Sequence, residues 1–146
     1  MAHSELDHLA FRFFKLFAQY ESTLKEREHF QPGKNGTINV DWDRFANEVV
    51  GPNFIVNLGD NSSAAEYILE SPPMKQSIGD DGRIVWKEVP NTERSAQILF
   101  AHICRMRNNL FHGAKFNGTW FDPDRSTALL ECGLMILEHY GKWLQH

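Results

Sequence analysis

The sequence predicts an all-α fold, an antiparallel bundle of three long helices with shorter ones between them. Three stretches repeat apolar residues at three- and four-residue steps, the period of an amphipathic helix. Gly- and Pro-bearing segments punctuate them. With 146 residues, of which 42% are hydrophobic and 23% charged, the chain suits one domain, residues 1–146, with a real core.

The first long helix opens at Ser4, where Ser4-Glu5-Leu6-Asp7 reads as a capping box. Leu6, Ala10, Phe13, Phe17, Tyr20 and Leu24 form its apolar stripe, which fades near Phe30. Gln31 to Gly36 has the turn chemistry of a loop. Asp41 caps a short helix from Trp42 to Val50, ended by Gly51-Pro52. Ser63-Ala64-Ala65-Glu66 is a second capping box, opening a helix to about Glu70 that Ser71-Pro72-Pro73 breaks. Lys75 to Lys87 suits a small hairpin around Asp80-Asp81-Gly82, with Ile84, Val85 and Trp86 as its β-rich arm. Asn91 caps the second long helix, Thr92 to about His112, and Gly113 stands where a helix C′ residue belongs. A loop carries Lys115 and Asn117-Gly118 to Trp120. Asp122-Pro123 places an N-cap before proline at the first helical position. The last helix runs to about Gln145 and buries Leu129, Ile136, Leu137, Tyr140 and Leu144.

Composition narrows the function. A net charge of −4 argues against broad, sequence-independent binding to nucleic acid but leaves room for a local basic site. Cys104 and Cys132 lie inside helical patterns, without CxxC or ligand spacing, so reduced thiols and a cytoplasmic protein are expected. The N-terminus MAHSELDH lacks the regions of a signal peptide. No apolar run approaches the roughly 20 residues that span a bilayer. No membrane partner, metal or cofactor is expected.

The chemistry concentrates in Arg105-Met106-Arg107-Asn108-Asn109-Leu110-Phe111-His112-Gly113. On a wheel of about 100° per residue, Ala96, Leu99, Phe100, Ile103, Leu110 and Phe111 share a core face, and Arg107 falls among them. The opposite face collects His102, Arg105, Asn108, Asn109 and His112, a polar strip open to a ligand or a dimer contact. Glu21 is a similar oddity in the first helix, beside Phe14, Phe17 and Leu24. A buried carboxylate and a buried guanidinium on neighbouring helices are expected partners, either as a structural salt bridge or as part of a site. His112 suits a last helical turn through the dipole alone.

Arg107-Asn108, three residues and His112 resemble the Arg-x4-6-His signature of the HEPN superfamily (higher eukaryotes and prokaryotes nucleotide-binding domains). The motif lies late in a small helical chain, at a helix end, before a glycine. The segments FFKLFAQYESTLKE and DWDRFA are similar to a branch of small, often plasmid-encoded HEPN proteins. The resemblance runs from Phe13 to about Gly113. Arg105 also fits as Arg-x6-His; the following Asn favours Arg107. Several HEPN toxins read HxY where this chain has His112-Gly113-Ala114.

The resemblance implies a HEPN-type bundle with Arg107, Asn108 and His112 as the motif and Glu21 and Arg105 in support. His102, Asn109 and Lys115 are candidate RNA contacts. It implies metal-independent RNA cleavage by 2′-OH attack, in a toxin–antitoxin or phage-defence setting. Any nucleotidyltransferase-type antitoxin would be a separate protein, since no such motif occurs here. Residues five apart lie about 140° apart on a helix, so Arg107 and His112 do not share a face. Either the helix unwinds at Gly113 and lets His112 turn, or two chains bring their motifs together across a twofold axis. The resemblance to HEPN proteins implies the second, a composite cleft in a homodimer. A non-catalytic HEPN-fold module for nucleotide binding or dimerisation is the alternative, and a plain helical domain with a chance motif is the third reading.

Overall fold

The structure, a computed structural model, describes residues 2–90, 93–111, 115–116, 119–120 and 122–145. For residues 2–4, 111, 115–116 and 119–120 it describes the backbone alone. It is mostly α-helical. Three long helices, α1 (Ala2–Glu26), α5 (Ala96–Phe111) and α6 (Pro123–His139), are joined by α2 (Trp42–Phe45), α3 (Phe54–Leu58) and α4 (Ser62–Glu70). Among the described residues, no helix is long and apolar enough to cross a membrane.

Helix α1 starts earlier and ends sooner than its capping signals suggest. The chain leaves the helix through Glu28 in the left-handed region (φ 63°), and the His29 amide donates back to the Leu24 carbonyl. The expected loop then proves to be a hairpin: β1 (Phe30–Pro32) pairs antiparallel with β2 (Ile38–Val40). Asn35 and Gly36 make its turn at positive φ. The strands are only three residues long, which is why no alternation shows in the sequence.

Asp41 does cap the next helix, its Oδ1 accepting from the Arg44 amide at 3.0 Å. The helix then widens into a π-helical turn, Ala46–Val50, closed by Gly51 at φ 81°. Helix α3 has no counterpart in the sequence reading. Helix α4 begins at Ser62, so Ser63 already lies inside it and the capping box does not form.

The expected hairpin is present, with β3 (Lys75–Ile78) antiparallel to β4 (Ile84–Lys87) and Ile78 opposite Ile84 beside the turn. Helix α5 begins four residues later than expected. Ser95 is its cap, with Oγ accepting from the Ile98 amide at 3.1 Å; Asn91 lies outside the described residues. Part of the expected loop after α5 pairs as β5 (Lys115–Phe116) with β6 (Thr119–Trp120), while Gly113, Asn117 and Gly118 lie outside the described residues. Asp122 caps α6 through Arg125 N, as expected, with proline next. The final residues, Gly141–Gln145, form a 3-10 turn instead of extending α6.

The core joins these pieces. Leu6, Phe13, Phe17, Tyr20 and Leu24 of α1 are all buried, as are Leu99, Phe100 and Ile103 of α5 and Leu134, Ile136 and Leu137 of α6. At one end of the bundle Tyr20 meets Trp42, Phe45 and Trp143 in an aromatic cluster that Phe100 extends. The Tyr20 hydroxyl donates to the Leu137 carbonyl, and burial raises its pKa.

Nearer the middle, Gly133 of α6 lets the three long helices meet. A Cβ there would come within 2.9 Å of both Phe13 Cε1 and Met106 Cε. The methionine methyl can swing aside; the wholly buried Phe13 ring cannot do so cheaply. At an exposed helical glycine, alanine would stabilise by about 1 kcal/mol. At Gly133 the overpacking penalty of about 1–3 kcal/mol outweighs that gain. Gly133→Ala is therefore expected to lower the urea midpoint, and a raised midpoint would show that the contact is slack.

Candidate functional site at the end of helix α5

Helix α5 has two buried faces, and this arrangement distributes the polar residues of its last turns. One face, from Ala96 through Leu99 and Ile103 to Met106, enters the core. The second carries Ile98, His102, Arg105 and Asn109, about 100° round the helix. Helix α5 meets β3 on this side, and Asn109 Nδ2 donates to the Met74 carbonyl just before that strand at 2.9 Å.

His102 is consequently not on an open polar strip. It is 5% exposed, and among the described residues neither ring nitrogen has a hydrogen-bond partner. Burial, helped by the Arg105 charge, pushes its pKa down to about 4, so the ring is neutral at pH 7. Arg105 is half-buried, with one guanidinium nitrogen enclosed and without a partner among the described residues. Of the three candidate RNA contacts, His102 is enclosed, Asn109 holds the hairpin, and the Lys115 side chain lies outside the described residues. The sequence reading missed this second face because the residue it is tied to, Met74, comes from a distant segment.

Arg107 also differs from its expected place. Met106 occupies the core position, at 4% exposure, and turns Arg107 to the seam between α5 and α1. There its guanidinium lies 5.9 Å from the centre of the Phe14 ring and donates to Asn108 Oδ1 at 3.2 Å. Asn108 is exposed. The last turns of the helix thus carry a half-exposed arginine hydrogen-bonded to an exposed amide, with the guanidinium over an aromatic ring.

Glu21 looks onto the same seam, but it is half-exposed rather than buried. No Glu21–Arg107 ion pair occurs among those of the described residues. With water reaching both groups, direct pairing is not obligatory. Both act on the Cys104 thiol, whose pKa burial raises to about 12, Glu21 pushing it up and Arg107 down. That thiol is protonated at neutral pH and chemically quiet. His112 lies outside the described residues.

On the far side of α5 from Arg107, a cleft of about 60 Å³ opens between Met74, Trp86, Asn109 and Leu110 and the start of α6. Its one guanidinium, Arg125, is already engaged by Glu88 and the Pro72 carbonyl. The cleft has room for a few water molecules and not for a nucleotide. Phe14 is the residue at the site that the sequence reading did not single out as functional. The available signal was a second apolar series in the first helix, Phe11, Phe14 and Ala18, beside the core stripe.

Burial of His102 has a consequence for stability. Its pKa falls from 6.5 in the unfolded chain to about 4 in the fold, so between these values the unfolded state binds more protons. Stability is full above pH 6.5 and declines as pH falls toward 4, by about 3 kcal/mol for a shift of this size. His29, buried with its pKa also lowered, acts in the same direction. His102→Leu is expected to fold normally at pH 7 and to lose less stability in urea titrations at pH 4.5. An identical acid loss in the variant would assign it elsewhere.

Scanned against known protein families, curated proteins and solved structures, the chain matches none, so its functional reading rests on the residues themselves.

Proposed function

We propose that the protein is a metal-independent endoribonuclease of HEPN type, a homodimer cleaving single-stranded or loop RNA. The observation that carries this reading is the Arg107–Asn108 pair, half-exposed and hydrogen-bonded at the end of α5, five and four residues before His112. Its setting would be toxin–antitoxin or phage defence, with any antitoxin a separate chain.

The reaction needs few groups. The ribose 2′-OH loses a proton as its oxygen attacks the adjacent phosphorus, and the 5′ oxygen leaves as it gains one. Histidine, with an ordinary pKa near 6.5, serves as base or acid near neutral pH. Arg107 donates to the non-bridging oxygens, where negative charge grows in the transition state. Asn108 orients the guanidinium or holds a ribose hydroxyl. A dimer supplies two histidines, one for each proton transfer.

The alternative is a HEPN-fold module that binds a nucleotide or dimerises without catalysis. The enclosed His102 and the tethered Asn109 favour it, since they leave fewer polar groups to surround a substrate.

The purified protein is expected to cleave single-stranded RNA in EDTA, leave 2′,3′-cyclic phosphate ends and spare 2′-deoxy substrates. His112→Ala is expected to remove about 10²–10⁴-fold of the rate. Arg107→Lys is expected to fail as well, because the planar fork is lost although charge is kept. Activity that survives His112→Ala, or disappears with chelator, would refute this mechanism. No cleavage by folded wild type would leave the binding module.

A further inference from the structure

The 3-10 turn Gly141–Gln145 lies against the end of the bundle, and Trp143 is the side chain that seats it. Its ring stacks on Tyr20 with centroids 6.3 Å apart and meets Phe45 edge-on at 5.0 Å. The Arg27 guanidinium lies over the same ring, 4.2 Å from its centre, and the His29 ring is 6.0 Å away. Trp143 and Leu144 are half-buried, whereas Lys142 and Gln145 are exposed. A short segment seated by so few buried groups can open locally without the bundle unfolding.

His29 is fixed independently of this turn. Its amide donates to the Leu24 carbonyl and its carbonyl accepts from the Asp41 amide, both at 2.8 Å. The ring is 9% exposed, and its Nδ1 is enclosed without a hydrogen-bond partner among the described residues. A neutral imidazole suits this place with Nδ1 bare. A proton there would bury an N–H with no acceptor, close to a guanidinium that shares the Trp143 ring. Burial holds the His29 pKa below its ordinary value; Arg44 and, more weakly, Arg27 add to this, while Glu48 and Asp41 oppose it.

We propose that the Gly141–Gln145 turn is an acid-released latch, docked through Trp143 while His29 is neutral and freed when His29 takes up a proton. With Trp143 away, water reaches the imidazole and charging it costs less. The docked ring has a pKa below 6.5 and the released ring returns toward that value, so the open form binds more protons. Docking is therefore complete above pH 6.5 and weakens as pH falls, with one proton allowing at most about a tenfold gain in the open form per pH unit. Release uncovers the faces of Tyr20 and Phe45 that Trp143 covers, an aromatic surface closed at neutral pH. His102 acts on unfolding of the whole bundle, whereas His29 acts on the docking of one turn. The latch does not depend on the ribonuclease reading.

Hydrogen exchange of the full chain, followed by NMR, reads the latch directly. Between about pH 7.5 and 5.5, residues 141–145 are expected to lose about fivefold of their protection, after allowance for intrinsic rates, while amides inside α1, α5 and α6 keep theirs. His29→Phe retains a ring against Trp143 and is expected to abolish the response. Arg44→Gln and Glu48→Gln, at side chains 44% and 55% exposed, are expected to move it in opposite directions. Without the guanidinium the docked imidazole charges more readily and the response weakens; without the carboxylate it strengthens. Trp143→Ala is expected to leave the segment open at every pH. Wild-type protection that holds until the bundle unfolds overturns the proposal, as does an equal loss in His29→Phe. Two charge variants that shift the response the same way, or not at all, overturn it too, and so does full protection in Trp143→Ala.

Discussion

The close approach of Phe13 to Gly133, with Met106 beside them, fixes how the three long helices meet. The arrangement at the end of α5 follows from it. With Phe13 in the core, Phe14 is turned about 100° round α1 toward α5, and Phe11 is turned farther out. With Met106 in the core, Arg107 is turned by the same angle toward α1. The arginine therefore meets an aromatic ring at the seam, and the exposed apolar series begins where the arginine stands. One small residue on α6 thus governs the placement of groups on two other helices.

The long helices were legible because each carries an apolar stripe with the right period. Leu6, Phe13, Phe17, Tyr20 and Leu24, read as one face, are buried together. The Asp122-Pro123 start and the Asp41 cap were legible because each states its local chemistry in the sequence. Less legible were features set by distant segments. The hairpin β1–β2 has three-residue strands, too short to show alternation, and Asn91 and Ser95 offer two plausible caps within five residues. His102 looked polar and outward on a wheel drawn for a helix with one buried side. The burial of His102 on a second side of the helix, where Asn109 is tied to Met74, reverses that conclusion. The resemblance that suggested a function turns on Arg107 and His112, and structure bears on the first of these alone.

Charge at the seam has a different role from the one its sequence suggests. A fully buried glutamate and arginine would have to pair, and breaking them would cost several kcal/mol. Here both are half-exposed, where an ion pair contributes at most about 1 kcal/mol. Pairing with Glu21 therefore gives little reason for an arginine at position 107. Under the proposed function, its fixed charge and planar array of donors would meet an anion arriving from outside. The Cys104 thiol beneath the seam, protonated because it is buried, contributes packing and no nucleophile.

Under the proposed function, a net charge of −4 would set the terms on which the protein meets RNA. Long-range attraction to the phosphate backbone is weak, because an acidic body repels a polyanion beyond a Debye length of about 8–10 Å. Affinity from counterion release scales with the number of phosphates neutralised, and one arginine per chain neutralises few. Binding strength must then come from short-range contacts: donors converging on a single phosphate, and bases held against apolar surface. The proposed dimer would double the cations at one point without making either chain basic. An acidic protein with a small, shared cationic cleft would be selective for exposed, unpaired RNA. A duplex would press its whole charged backbone against the acidic body, whereas a loop offers one phosphate at a time.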